Sequence, residues 1–108
     1  MAKAELNFGE LGGGAPTVKQ TFTCNLTSNS YMSIGTITAD GLAIIDCTDN
    51  WNMQWKNVTK GTQGTFTDFS SLGTAGGATA SVVVSAGDDV QVNRNSGAER
   101  HLIINIVG

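Results

Sequence analysis

The chain has 108 residues, six Lys and Arg against nine Asp and Glu, a net charge of −3 and only 14% charged residues. Its length allows about one domain with a modest core. The acidic balance excludes a nucleic-acid binder built on a broad basic field and a polybasic membrane-surface protein, and no apolar run approaches the roughly 20 residues of a membrane helix.

The N-terminal residues alternate, Ala2, Ala4, Leu6 and Phe8 against Lys3, Glu5 and Asn7, which is the period of a strand. Glu5 and Asn7 break the apolar stretch that a secretory signal needs, so no signal peptide is expected. Gly9 to Pro16 follows, with Gly12, Gly13 and Gly14 in a row, the composition of a pliable tether. The reading is an arm over residues 1–8, a hinge over 9–16 and a folded domain over 17–108. A tethered strand can pair with its own sheet or with the exposed edge of a neighbouring copy. The triple glycine is no phosphate loop, since no Gly-Lys-Ser/Thr follows it.

The body reads as strands and turns. Val18 to Leu26 sets Val18, Gln20, Phe22, Cys24 and Leu26 against Lys19, Thr21, Thr23 and Asn25. Gln20 is the one polar residue on the inward face. A second strand is expected over Tyr31 to Thr38, ended by Ala39-Asp40-Gly41, and Asp-Gly is a strong hairpin signal. Leu42 to Cys47 is apolar on both faces and belongs in the middle of a sheet. Trp51 to Lys56 alternates, Gly61 to Gly64 is a turn, and Thr65 to Ser70 is a short strand. Leu72 to Gly77 reads as a flexible loop. Ala78 to Ser85, Val90 to Arg94 and Glu99 to Val107 complete the set. Short strands with a turn about every ten residues predict an all-β chain. The expected fold is a single antiparallel β-sandwich, jelly-roll-like, of eight to nine strands, with a partly open barrel as the other all-β solution.

Few residues carry reactive chemistry. Cys24 and Cys47 admit one pairing, and a disulfide there would close a loop worth about 3 kcal/mol; two buried free thiols are the alternative. No Cys-x-x-Cys marks a zinc or redox site. His101, the only histidine, has no nucleophile elbow to serve and reads as a surface residue. Asp46 and Asp49 could face a hard cation, but no EF-hand spacing is present. Asp88 and Asp89 follow Gly87 as turn residues do. No catalytic residue, metal or cofactor is expected. Asn25-Leu26-Thr27 and Asn57-Val58-Thr59 match the glycosylation pattern by chance in a Thr/Asn-rich chain. Trp51, Met53 and Trp55 share a strand face. They form core, a subunit interface or a platform that stacks on sugar rings, with Tyr31 as a second platform residue.

The short N-terminal strand, the hinge Gly9 to Pro16 and the Thr/Asn/Gly-rich body resemble small all-β accessory proteins of tailed bacteriophage virions, such as tail-fibre, head-fibre or decoration domains. Ser81 to Val92, a strand–Ala-Gly-Asp–strand unit, is similar to hairpins of such domains and of jelly rolls of the complement and tumour-necrosis-factor type. The resemblance implies a non-enzymatic structural protein in a symmetric oligomer, with a trimer favoured, together with other virion proteins. It would be built in a bacterial cytoplasm and located in the virion. Leu6 and Phe8 would anchor the arm to a neighbour, with Gly12, Gly13 and Gly14 as the hinge. The alternative is a carbohydrate- or host-surface-binding module that meets a surface glycan. Neither reading involves nucleic acid or membrane insertion.

Overall fold

The computed structural model describes residues 17–48, 52–68, 77–95 and 97–108. The arm and hinge expected at the N-terminus, with Leu6, Phe8, Gly12, Gly13 and Gly14, lie outside those residues, as do Asp49 and Trp51. The nine described strands are β1 (Val18–Leu26), β2 (Met32–Ser33), β3 (Gly41–Cys47), β4 (Gln54–Asn57), β5 (Thr62–Thr65), β6 (Thr67–Asp68), β7 (Ala78–Val84), β8 (Val90–Asn93) and β9 (Arg100–Val107). They form two antiparallel sheets, ordered β1-β9-β3-β7-β6 and β2-β8-β4-β5. The pairs nest: β1 with β9, β2 with β8, β3 with β7, β4 with β5. That is the pairing of one long hairpin folded across both sheets, with β6 added beside β7.

Alternation builds the core. Leu102, Ile104 and Ile106 of β9 are fully buried. Each sits in a cross-strand row: Cys24–Leu102–Cys47, Phe22–Ile104–Ile45 and Gln20–Ile106–Ala43. Val90 and Val92 face them from the other sheet in the same apolar cluster. Each such Ile or Val is worth about 1.5–3 kcal/mol relative to exposure. Size is matched within rows. Trp55 pairs with Gly64, and a Cβ on Gly64 would lie 2.9 Å from the indole, so the ring occupies the space that glycine leaves.

Gln20, the polar exception, has a backbone task. Its amide donates to Thr36 O at 2.8 Å, and its Oε1 accepts from Thr38 N at 2.9 Å. It replaces a strand partner for the 34–38 segment. This also explains why the strand expected over Tyr31 to Thr38 shrinks to Met32–Ser33. Ile34 and Ile37 are both buried, and three-residue spacing cannot put both on one face of a strand.

Three turn readings are corrected. Asp40-Gly41 makes no hairpin, because β2 and β3 lie in different sheets. Asp40 instead ties the crossing down: its Oδ1 accepts from Ala86 N at 2.8 Å, and its backbone carbonyl accepts from Lys19 Nζ at 2.7 Å. Ala86 to Asp89 likewise links β7 to β8 as an arch between sheets. The hairpin turn expected at Gly61–Gly64 ends at Gly61, whose N–H donates to Asn57 O, and Thr62–Thr65 is strand.

Candidate functional site

β1 lies at the end of its sheet, with β9 on one side and no strand on the other among the described residues. Its nine residues give roughly 30 Å of edge at about 3.4 Å each, along which alternate backbone groups point outward. Lys19 is its only charge, so the edge has little of the charge that keeps other strands away. On its inner face Phe22 and Cys24 are half-buried, whereas Leu102 and Ile104 beside them are sealed. Thr17 and Gly108 exchange backbone hydrogen bonds at the start of this edge, where residues 1–16 join the domain.

The outer face of the five-stranded sheet carries a small apolar patch among polar residues. Leu42 lies between Val83 and Val107, and Ile44 is two residues along the same strand. Ile103 stands opposite Asp46. Val83 is 65% exposed and Ile103 49%. No disulfide joins Cys24 and Cys47, so the two remain thiols. Each pairs with Leu102 from opposite sides. That places their Cα atoms about 9.5 Å apart, two strand spacings, against the roughly 4.4–6.8 Å a disulfide needs. Burial pushes the Cys24 thiol up, so it is a poor nucleophile.

The four-stranded sheet turns a different face outward. Ser33, Gln91, Lys56 and Gln63 form one row across it, and Asn93, Gln54 and Thr65 another. Tyr31 extends the second row beyond Met32. The Lys56 ammonium sits 4.3 Å from the Tyr31 ring centroid. Tyr31, Gln54, Gln63, Gly64 and Thr65 line an open depression of about 250 Å³. Lower on the face, Asp89 accepts from Ser33 Oγ at 2.6 Å and from Gln91 Nε2 at 2.9 Å.

Of the platform residues read from the sequence, Trp55 packs against the core and Met53 is buried; among the described ones Tyr31 alone borders the depression. Gln54 reads from the sequence as a solvated strand position and Gln63 as part of the Gly61–Gly64 turn. Asn57 reads from the sequence only as part of a chance glycosylation pattern. It is fully buried, so its glycosylation motif is closed to modification. Its amide donates to Val83 O at 3.2 Å and Asp88 Oδ2 at 2.9 Å, and its Oδ1 accepts from Lys60 N at 3.1 Å. The signal was present: Asn57 is in phase with Met53 and Trp55, and a polar residue in an inward series is a buried amide with partners.

Asp88 is the hub of the arch. It accepts from Ser85 N at 2.9 Å and lies 3.3 Å from the Lys60 ammonium. The Asn57 amide, then the Ser85 N–H and Lys60, hold its carboxyl below the usual range against the opposing effect of desolvation. These bonds are structural, joining β4, β7 and the arch. Asp46 accepts from Thr79 Oγ1 across the strand pair at 2.6 Å, and His101 lies 3.8 Å from Glu99 on the surface. Among the described residues no group of three His, Cys, Asp or Glu side chains is placed to hold a metal ion, and no helix is long and apolar enough to cross a membrane. Comparison with protein families, curated proteins and solved structures finds no match to this chain.

Proposed function

We propose that this is a non-enzymatic structural protein whose sandwich, a jelly roll by its nested strand pairs, joins copies of itself in a symmetric assembly. The observation that carries the reading is the open edge of β1. It is long, nearly uncharged and incompletely sealed at Phe22 and Cys24. The alternating segment Ala2 to Phe8 has the pattern of a strand that would finish such an edge, adding backbone hydrogen bonds along β1 and apolar cover beside Phe22. Supplied by a neighbour, it links copies; Gly12, Gly13 and Gly14 let it reach. The resemblance to phage accessory domains supports a place in a virion, with a trimer as the favoured form.

Light scattering on a sizing column tests this with the full chain, the chain lacking residues 1–14, and the double variant Leu6→Asp, Phe8→Asp. The expected result is a discrete oligomer that falls to 11 kDa-class monomers in both altered forms. A monomer in all three removes strand-linked assembly, and an oligomer unchanged in all three places the contact elsewhere.

A further inference from the structure

We propose that the outer face of the sheet β2-β8-β4-β5 is a saccharide-binding site for a single pyranose ring, seated beside Tyr31 and hydrogen-bonded by Gln54 and Gln63. The site is independent of the β1 edge, which belongs to the other sheet. Three observations carry it. The depression of about 250 Å³ lies just below the roughly 300–1,000 Å³ that takes drug-sized ligands, so it suits one ring. Its wall is the Tyr31 ring, which the Lys56 ammonium holds from one side at 4.3 Å; the ligand stacks its apolar C–H face on the other. Its rim is made of Gln54, Gln63 and Thr65, and among the described residues no side-chain hydrogen bond engages them.

The chemistry selects the class. Each glutamine amide offers two donors and an acceptor, and the threonine hydroxyl offers both, which matches adjacent sugar hydroxyls. Gly64 contributes only backbone to the lining, so a ring can approach closely. Polar surface exceeds apolar surface in the lining, so an aliphatic ligand would leave the glutamine amides unpaired. A phosphate would find one ammonium, Lys56, already committed to the aromatic ring.

The test is a titration of the isotope-labelled full chain, followed by two-dimensional NMR, with methyl α-glucopyranoside, methyl β-galactopyranoside and N-acetylglucosamine. Each is taken to about 50 mM, because one ring in a shallow site binds in the millimolar range. The expected result is saturable movement of the Gln54 and Gln63 side-chain amide signals and of the Tyr31 and Thr65 backbone amides with at least one sugar. Tyr31→Ala and Gln54→Ala should each weaken binding at least about tenfold, and Tyr31→Phe, which keeps the ring, should bind as the parent does. No movement with any of the three sugars overturns the proposal, as does movement that survives both Tyr31→Ala and Gln54→Ala. Should Tyr31→Ala fail to fold, Gln54→Ala and Gln63→Ala decide the matter, and binding unchanged in both is a negative result.

Discussion

Gly41 opens β3 at the point where the chain crosses from one sheet to the other, and two separate constraints meet there. Its φ of +152° lies where side chains rarely sit, and a Cβ built on it would stand 2.1 Å from Val107 O. That obstacle is backbone in the neighbouring strand, so it cannot swing aside. Gly87, in the β7–β8 arch, has φ +90° but open space around its Cβ position. The two glycines therefore separate strain from collision. Gly87→Ala meets strain alone, about 1–2 kcal/mol, less a few tenths returned by the stiffer unfolded chain. Gly41→Ala adds to a strain of about 1–3 kcal/mol the displacement of β3 from β9, itself about 1–3 kcal/mol, for a total of about 2–6 kcal/mol. With a urea slope of about 2 kcal/mol/M, the midpoint should fall by about 1–3 M for Gly41→Ala and about 0.5 M for Gly87→Ala. Urea melts followed by tryptophan fluorescence read both. Equal shifts in the two variants would refute the reasoning, because the Val107 carbonyl would then carry no weight.

Three further outcomes follow from the geometry. Mass spectrometry of the unreduced protein should find no disulfide-linked peptide, and both cysteines should titrate with Ellman's reagent in guanidinium; a Cys24–Cys47 link would mean that β9 does not separate them. Asp88 has a depressed folded pKa, so its contribution is complete above the ordinary carboxylate range near 4 and is lost as pH falls through the lower folded value; urea midpoints should drop between about pH 5 and pH 3, less steeply in Asp88→Asn, and equal slopes would contradict this. Asn57→Ala removes the bonds to Val83 O and Lys60 N as well as that to Asp88 and should lower the thermal midpoint by at least about 5 °C, while Asn25→Ala, at an exposed position, should leave it within about 2 °C.

Strand positions were legible because period-2 alternation is set by burial. Val18 to Leu26 is read to the residue, and Ala78–Val84, Val90–Asn93 and Arg100–Val107 fall within one residue or so of the expected spans. Sheet membership was not legible. Asp40-Gly41 and Ala86–Asp89 have hairpin composition, yet each carries the chain between sheets, and turn residues report a local bend without naming the strand on its far side. Thr62–Thr65 was missed because it is an edge strand of polar residues, with no apolar face to betray it. The candidate sugar site was half legible. Tyr31 was singled out by type, but Gln54 and Gln63 come together through the β4–β5 register, which no single segment records.

The two outward faces act as controls for one another. Packing dictates the inward residues of both sheets and leaves the outward ones free. On the four-stranded sheet that freedom is used conventionally: Ser33, Gln91, Lys56, Gln63, Asn93, Gln54 and Thr65 are all polar. On the five-stranded sheet the equivalent freedom places Leu42 between Val83 and Val107, with Ile44 and Ile103 nearby. Neither Val83, which stands mostly in solvent, nor Ile103, about half exposed, is sealed in the core of a single copy. β-propensity alone does not account for the difference, because Thr67 and Thr79 hold neighbouring outward positions on the same sheet. An apolar patch that folding does not require is a burden in solution and an asset at a contact. It lies on the sheet whose edge is β1, so a copy attached along that edge would be held close to the patch, with the outward residues Thr21 and Thr23 of β1 between. Val83→Lys with Ile103→Lys separates the two roles: stability of the lone domain should change by no more than about 1 kcal/mol, about 0.5 kcal/mol for each substitution, while association, read by light scattering, should weaken. A large loss of stability with association unchanged would show that the patch serves the fold and not the assembly.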